Sequence, residues 1–204
     1  MIKVKDRGSY FVGGKKYTLS GLPIVEMSFT PNGARSKVDP NGEYQAGQMY
    51  VQYVRLEEPI SSYPVLLCHG GGMNGSTWET TPDGREGWDN LFLKSGFDIF
   101  VSDSVERGRS TWARYPEINP GPPVFRTYKA AWTGFRFGPN YGEIYKGQQF
   151  PVDYMDIFMK AANPRWTTSG EWTQKAFDEY VGSMKQGCIL VSHSTGCLYA
   201  ERAA

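Results

Sequence analysis

The chain has 204 residues, 40% of them hydrophobic and 15% aromatic, which is enough to bury a sizeable core as one domain over residues 1–204. Its 22 basic and 21 acidic residues leave a formal net charge of +1, so composition gives no reason to expect nucleic acid or an anionic membrane as a partner. No apolar run approaches the roughly 20 residues that a membrane-spanning helix needs.

The N-terminus and the cysteines leave the cellular compartment open. The opening residues MIKVKDRGSYF lack the apolar segment of a signal peptide. The protein is therefore either cytoplasmic, or periplasmic or secreted with its signal peptide already removed. The three cysteines are an odd number without zinc-ligand spacing, which favours unpaired structural thiols over a disulfide framework.

The first sixty residues have the pattern of antiparallel β structure. SYFVGGKKYTL contains two β-prone runs around Gly13-Gly14, which predicts a hairpin. IVEMSFT predicts a short strand, and the alternation in GQMYVQYVRL predicts a longer one. These segments predict antiparallel strands at the N-terminal side of the sheet.

The following segments alternate between buried strands and helices. YPVLLCHGGG predicts a buried strand and a tight turn, and FDIFVSDS predicts the next buried strand. Between them, GWDNLFLKSG predicts a helix that ends at Gly96 and buries Trp88, Leu91 and Phe92. Strand, helix and strand in this order predict a parallel sheet with crossover helices.

Residues 111–175 differ from the rest of the chain. They are rich in proline and aromatic residues and show no sustained helical or strand period. A disordered linker would not hold so many aromatic side chains, so we predict a cap-like insertion of loops and short helices. A helix over EWTQKAFDEYVGSMK and a strand over GCILVS follow it.

The stretch VSHSTG places Ser194 between small residues, directly after a predicted buried strand. A serine at a sharp strand-to-helix turn projects its hydroxyl above the sheet, and small residues such as Ser192 and Gly196 let strand and helix approach each other. The pattern predicts that Ser194 is a nucleophile and that the N–H of Thr195 faces an oxyanion. A plain turn without chemistry is the alternative for this motif alone.

Two further loops follow predicted strands. In HGGGMNG at 69–75, glycines allow close approach to a substrate, and the N–H of Gly71, with Gly72 as a second candidate, would be the other oxyanion donor. The loop lacks the residues of a phosphate-binding motif, and His69 is interpreted as a structural residue. In SDSVERGRS, Asp103 ends a strand before a tight loop, for which a salt-bridged turn is the alternative.

The remaining polar residues are weaker candidates. His193 neighbours Ser194, but at such a turn its side chain points away from the serine, so it is a poor base. The acidic residues in TWETTPDGREGWD have no histidine or cysteine at ligand spacing, which favours loop and capping roles over a metal site. We predict no metal and no organic cofactor.

Several longer segments strengthen this interpretation, and they are HGGGMNGSTWETTPDGREGWDNLFLKSG, VSDSVERGRS, AAWTGFRFGPNY, QQFPV and LVSHSTG. Together they resemble the bacterial esterase 713-like family of the α/β-hydrolase superfamily over most of residues 8–200. The resemblance implies an α/β-hydrolase fold with a mostly parallel central sheet and a cap. It also implies ester hydrolysis by a Ser-His-acid triad, with Ser194 as nucleophile and Gly71 and Thr195 as oxyanion-hole donors.

The sequence departs from that family in two places. Gly71-Gly72 stand where the named esterase has two adjacent cysteines, so its vicinal disulfide cannot form here. The family's acid and histidine correspond to positions beyond Ala204, as expected for the chain order Ser, acid, His. We therefore expect the C-terminal half of the fold to be incomplete in this chain, and the missing strands, acid and histidine to lie in a longer polypeptide or a second one.

These observations favour a serine esterase that acts on a small-molecule ester with an apolar acyl or alcohol group. A non-catalytic α/β-hydrolase-fold protein that binds a ligand or a partner is the alternative, since fold does not fix function. A third interpretation keeps the chemistry but changes the scissile bond to an amide or lactone. Assembly as a homo-oligomer stays open.

Overall fold

The computed structural model of the chain describes residues 2–204. The strands are β1 (Val4–Leu19), β2 (Val25–Met27), β3 (Ser36–Val38), β4 (Gly42–Leu56), β5 (Val65–Cys68), β6 (Ile99–Asp103) and β7 (Ile189–Ser192). The α-helices are α1 (Trp88–Lys94), α2 (Tyr128–Gly134), α3 (Met155–Lys160), α4 (Gly170–Gly182) and α5 (Thr195–Ala203). Short 3₁₀ turns occupy Gly75–Trp78 and Val152–Tyr154.

Five strands form the central sheet in the order β1-β4-β6-β5-β7, and β2 pairs with β3 separately. β4 runs antiparallel to both of its neighbours, β1 and β6, whereas β6, β5 and β7 are parallel to one another. This is the mixed sheet with N-terminal antiparallel strands that the sequence predicts.

The core lies on both faces of this sheet because alternate residues of each strand point to opposite sides. Leu66 and Cys68 of β5 pack in a cluster with Phe177 and Tyr180 of α4. Val65 and Leu67 of the same strand pack on the other face, against a cluster that includes Phe92 and Leu93 of α1. The sheet is therefore covered by helices on both faces, and β5 and β6 are buried throughout. The prediction that the strand before Ser194 is buried is wrong, because β7 is the edge strand of the sheet and is only partly covered.

The predicted hairpin at Gly13-Gly14 is wrong. β1 continues through both glycines and pairs with β4 from Val4 to Leu19. Gly13 and Gly14 have φ of 67° and 80°, and a methyl group on Gly13 would lie 2.8 Å from the Cβ of Ala176 in α4. The glycine pair thus lets the long strand pass close to a helix, rather than reversing the chain.

The predicted helix α1 forms, but its buried face differs from the expected one. Phe92 and Leu93 pack on the sheet, whereas Trp88 and Leu91 are 55% and 48% exposed. Trp88 instead packs against Trp78 at a tilt of 51°, with the ring centroids 5.7 Å apart. The short helix therefore contacts the sheet by one edge and leaves the other edge at the rim of a cavity described below.

The segment between β6 and α4 holds α2, α3 and intervening loops. Ala131, Trp132, Phe137 and Met155 form a hydrophobic cluster of their own there. An isolated bridge between Val124 and Arg165 ties the segment's two ends together. Within residues 2–204, no helix is both long and apolar enough to cross a membrane.

Candidate active site

Ser194 occupies the turn between β7 and α5 in an unusual backbone conformation. Its φ of 53° and ψ of −121° are costly for a residue with a side chain, and such outliers cluster at functional sites. Gly196 follows in the first turn of α5, where a methyl group would lie 2.6 Å from the carbonyl oxygen of His69 and 3.0 Å from that of Cys68. The close approach of α5 to β5 therefore requires glycine at 196 and holds Ser194 in this conformation at the protein surface.

The glycine loop after β5 lies against this turn. A methyl group on Gly70 would lie 3.2 Å from Cβ of Ser194, and one on Gly71 would lie 2.8 Å from Oγ1 of Thr195. Among the hydrogen bonds within residues 2–204, neither Gly71 nor Thr195 donates its N–H. The structure thus brings together the three residues that the sequence singles out, with two free N–H groups beside the serine.

His69 holds the loops that follow β5 and β6. Its Nδ1 lies 2.8 Å from the carbonyl oxygen of Gly70, and its Nε2 accepts a 2.9 Å hydrogen bond from the N–H of Ser104. Burial lowers the pKa of His69 to about 4, against the opposing effects of the Gly70 carbonyl and Asp103. A neutral imidazole that donates from Nδ1 and accepts at Nε2 satisfies both contacts. His69 is therefore a structural residue, as the sequence predicts.

Asp103, at the end of β6, fixes the next loop. Its carboxylate accepts hydrogen bonds from Nε of Arg109 at 2.7 Å, from the Arg109 N–H at 2.8 Å and from the Gly75 N–H at 2.6 Å. Burial alone would raise the pKa of Asp103, but these hydrogen bonds lower it below its ordinary value. The residue therefore stays ionised and ties the loop after β6 to the loop after β5, which is the salt-bridged turn considered from the sequence.

No general base for Ser194 is found among residues 2–204. The sequence has two histidines, and both ring nitrogens of His69 are engaged within the loops it holds. His193 is exposed and, like every other side chain in the described range, makes no hydrogen bond with the Ser194 hydroxyl. This agrees with the prediction that His193 is a poor base.

An apolar cavity of about 410 Å³ opens beside the serine. It lies between α1, the aromatic cluster of the segment 128–160 and the end of β7, and its lining includes Gly70, Trp88, Phe137, Phe150, Val191 and His193. Phe137 and Phe150 stack with ring centroids 4.1 Å apart. The predicted insertion therefore contributes aromatic side chains to a space next to Ser194.

The acidic residues around α1 make local contacts. Asp83 pairs with Arg85 at 2.8 Å, and Glu86 pairs with Lys94. Asp89 lies in the first turn of α1, where a carboxylate interacts favourably with the helix dipole. These contacts are the loop and capping roles predicted for them.

Sequence reasoning placed Arg107 in a tight loop but gave neither it nor Arg165 a role near the site. Arg107 is buried in the loop after β6, and Nη1 of Arg165, from the segment before α4, would lie 3.8 Å from a methyl group on Gly71. Neither residue stands in a catalytic motif, and their proximity depends on a contact between segments distant in sequence. No pattern of residues could have found this pair.

Comparison with known proteins supports the same architecture. No protein-family model matches this chain. A solved structure of a novel bacterial esterase superposes on all of this chain with a TM-score of 0.83 and 32% sequence identity. A fungal protein named "Probable secreted lipase phiG" (Fungal sp., strain ATCC 74256) is 40% identical over 77 residues, which are 38% of this chain.

The chain spans 64% of the length of the solved esterase chain, and the matched residues span 21% of the fungal protein. Together with the mixed sheet, its strand order and the helices on both faces, the structural match establishes that the chain has the α/β-hydrolase fold.

Proposed function

We propose that this protein is a serine carboxylic-ester hydrolase of the α/β-hydrolase superfamily, within the esterase 713-like family, with Ser194 as its nucleophile. The observation that carries the proposal is the backbone of Ser194, whose φ of 53° places an exposed serine between strand β7 and helix α5, against a glycine loop. The similarity to a bacterial esterase and a fungal lipase supports the same reaction class.

The N–H groups of Gly71 and Thr195 would hold the oxyanion. Both belong to residues in contact with each other beside Ser194, and Thr195 is the first residue of α5. A helix N-terminus carries partial positive charge. Donors fixed in advance at the point where charge develops contribute a large part of acyl-transfer catalysis.

The histidine and the acid would come from beyond residue 204 or from a second polypeptide. Residues 2–204 supply no free imidazole to Ser194, and the chain order of hydrolase triads places both partners after the nucleophile. The histidine would take the proton of Ser194 as Oγ attacks the ester carbonyl. It would then return that proton to the leaving alkoxide, and a water molecule would release the acid from the acyl-enzyme.

The substrate would be a small ester with an apolar acyl or alcohol group. Residues 111–175 would act as a cap, because the aromatic rings of this segment, with Trp88, line the cavity beside Ser194. Desolvation of apolar area in such a cavity favours binding. Similarity to a protein named as a secreted lipase favours an exported protein over a cytoplasmic one.

The test is the intact mass of the protein, with any polypeptide that copurifies, before and after a fluorophosphonate probe. We expect one adduct, mapped to Ser194, which is lost together with ester hydrolysis in Ser194→Ala. Ser95→Ala, which removes an exposed hydroxyl at the end of α1, should keep both. Unchanged turnover by Ser194→Ala would end the proposed mechanism. A properly folded protein without any adduct would favour a ligand-binding α/β-hydrolase-fold protein.

A further inference from the structure

A second cavity, of about 100 Å³, lies beside the glycine loop. Residues from the loops after β5 and β6 and from the N-terminal ends of α4 and α5 line it, among them His69, Gly71, Arg107, Ser169 and Thr195. It shares Gly70 with the apolar cavity described above. This volume exceeds the space that a single water molecule needs, so the cavity has room for a small polyatomic ligand.

Two guanidinium groups line this cavity, and its lining contains no carboxylate. Arg107 is only 7% exposed, and the one hydrogen bond of its side chain runs from Nη1 to the carbonyl oxygen of Glu106 at 3.1 Å. Arg165 approaches from the opposite segment, near Gly71. Neither arginine forms a salt bridge with a side chain of residues 2–204.

Glu106, the carboxylate whose charge acts on Arg107, makes its hydrogen bonds with other residues. The side chain of Glu106 accepts two 2.9 Å hydrogen bonds from the amide of Asn119 and one of 3.3 Å from the N–H of Ala113. Burial lowers the pKa of Arg107 to about 10, with Glu106 opposing and Arg165 adding to the effect. Arg107 is therefore still a cation at neutral pH, and a buried cation without a bound partner is costly.

The cavity lining also contains uncharged hydrogen-bond donors without an acceptor. Trp166 is 3% exposed and lines the cavity, and its Nε1–H has no acceptor within residues 2–204. The 13-residue helix α4 begins at Gly170 on the cavity wall. The first N–H groups of a helix lack intrahelical acceptors and attract anions. A buried guanidinium (Arg107), an exposed one (Arg165), an unpartnered indole N–H and a helix N-terminus thus line one small space.

We propose that this cavity is a subsite for an oxyanion group of the carboxylate, sulfate or phosphate class, held between Arg107 and Arg165. Planar guanidinium groups bind such oxygens through paired hydrogen bonds. Since Gly71 and Thr195 also line the cavity, the bound group lies next to the proposed oxyanion hole. It is either an anionic substituent of the substrate or a free inorganic anion, and the proposal does not depend on the protein being an esterase.

The first test measures sulfate binding to the intact protein, with any polypeptide that copurifies, by calorimetry and by thermal unfolding against sodium chloride at equal ionic strength. Sulfate should raise the melting temperature more than chloride does, because a ligand of the folded state stabilises it. Arg165→Gln, at an exposed position, should weaken sulfate affinity by about tenfold or more. Arg107→Gln should weaken it similarly if the variant folds.

The matched control is Arg136→Gln, which removes the same charge from an exposed position of the same segment outside the lining of this cavity. It should keep wild-type sulfate affinity. Equal effects of sulfate and chloride, or wild-type sulfate affinity in Arg165→Gln, would overturn the subsite. Binding lost equally in Arg136→Gln would also overturn it, because it would reveal only a general dependence on net charge.

Kinetics with two ester probes separates the two sources of the anion. The probes are a monoester of a dicarboxylic acid with a free carboxylate and its uncharged isostere. If the substrate supplies the group, wild type should favour the charged ester, sulfate should compete with it, and Arg165→Gln should lose the preference. If a free anion supplies it, sulfate should bind without competing with either ester. Sulfate binding without ester turnover would support the subsite and refute the proposed esterase, whereas turnover without sulfate binding would do the reverse.

Discussion

Gly196→Ala tests whether the close approach of α5 to β5 creates the geometry of the site. The added methyl group would lie 2.6 Å from the carbonyl oxygen of His69, and ordinary contact begins at 3.4 Å. The two nearest atoms are the backbone carbonyl oxygens of His69 and Cys68. Neither oxygen can rotate away as the end of a side chain could. The helix must therefore move by about 0.8 Å, the difference between these two distances, unless the bond angles absorb it.

Such a shift has two expected consequences. Overpacking of this kind costs about 1–3 kcal/mol of the free energy of unfolding. Because Thr195 and Ser194 precede Gly196 directly, the oxyanion donor and the nucleophile move with the helix. A misplacement of about 1 Å can cost about a hundredfold in rate, so we expect ester turnover and fluorophosphonate labelling of Ser194 to fall by about that factor.

The control is Gly182→Ala, at the last residue of α4, where an added methyl group meets no atom within 4 Å. Alanine is favoured over glycine in a helix, so this variant should be unchanged or more stable by about 0.5–1 kcal/mol. Urea unfolding gives the stabilities, and the probe-labelling rate gives the reactivity of Ser194. Wild-type stability and labelling in Gly196→Ala, with Gly182→Ala behaving as expected, would refute the steric origin of the site.

Two further predictions concern strain and protonation. Ser194→Gly should raise the free energy of unfolding by about 1–3 kcal/mol, because glycine adopts a φ of 53° without strain, while abolishing probe labelling; a loss of stability in urea unfolding would contradict this. The pKa of His69 falls from 6.5 to about 4 on folding, so the unfolded chain binds the proton more tightly and stability should decrease as pH falls from about 6.5 to 4, by about 3 kcal/mol in total. Measured by urea unfolding, the free energy of unfolding should depend less steeply on pH in His69→Gln than in wild type. Equal pH dependence in both proteins would mean that other groups cause the loss of stability.

The strands and the nucleophile turn could be predicted because short-range patterns specify them. β5 is a continuous apolar run, as burial on both faces requires of a parallel central strand, and β6 and β7 each begin with an apolar run, although β7 is a partly exposed edge strand. Ser194 stands between small residues after such a run, and Gly196 is small because the carbonyl oxygen of His69 leaves no room for a side chain. In these places, the local sequence and the tertiary contact impose the same requirement.

The predictions that fail concern residues whose structure depends on contacts with segments distant in sequence. Gly13-Gly14 has the composition of a hairpin turn, yet the N–H of Gly13 donates to the carboxylate of Glu179 in α4 at 2.8 Å, and the strand continues. The proximity of Arg107 and Arg165 could not be predicted for a related reason. Their meeting depends on how the segment before α4 crosses the loop after β6, and neither segment has a period that reveals this path.

The arrangement of the two cavities suggests how a substrate would be selected. Gly70 lines both of them, and its Cα lies beside Ser194. An ester that reacts at Ser194 could therefore place an apolar group among Trp88 and Phe137, and an anionic group toward the two arginines. Burial of the first group contributes affinity in proportion to its apolar area, whereas the paired hydrogen bonds of the second fix its orientation. We therefore expect the preferred substrates to carry both groups, because a substrate that occupies only one cavity leaves the other filled with water.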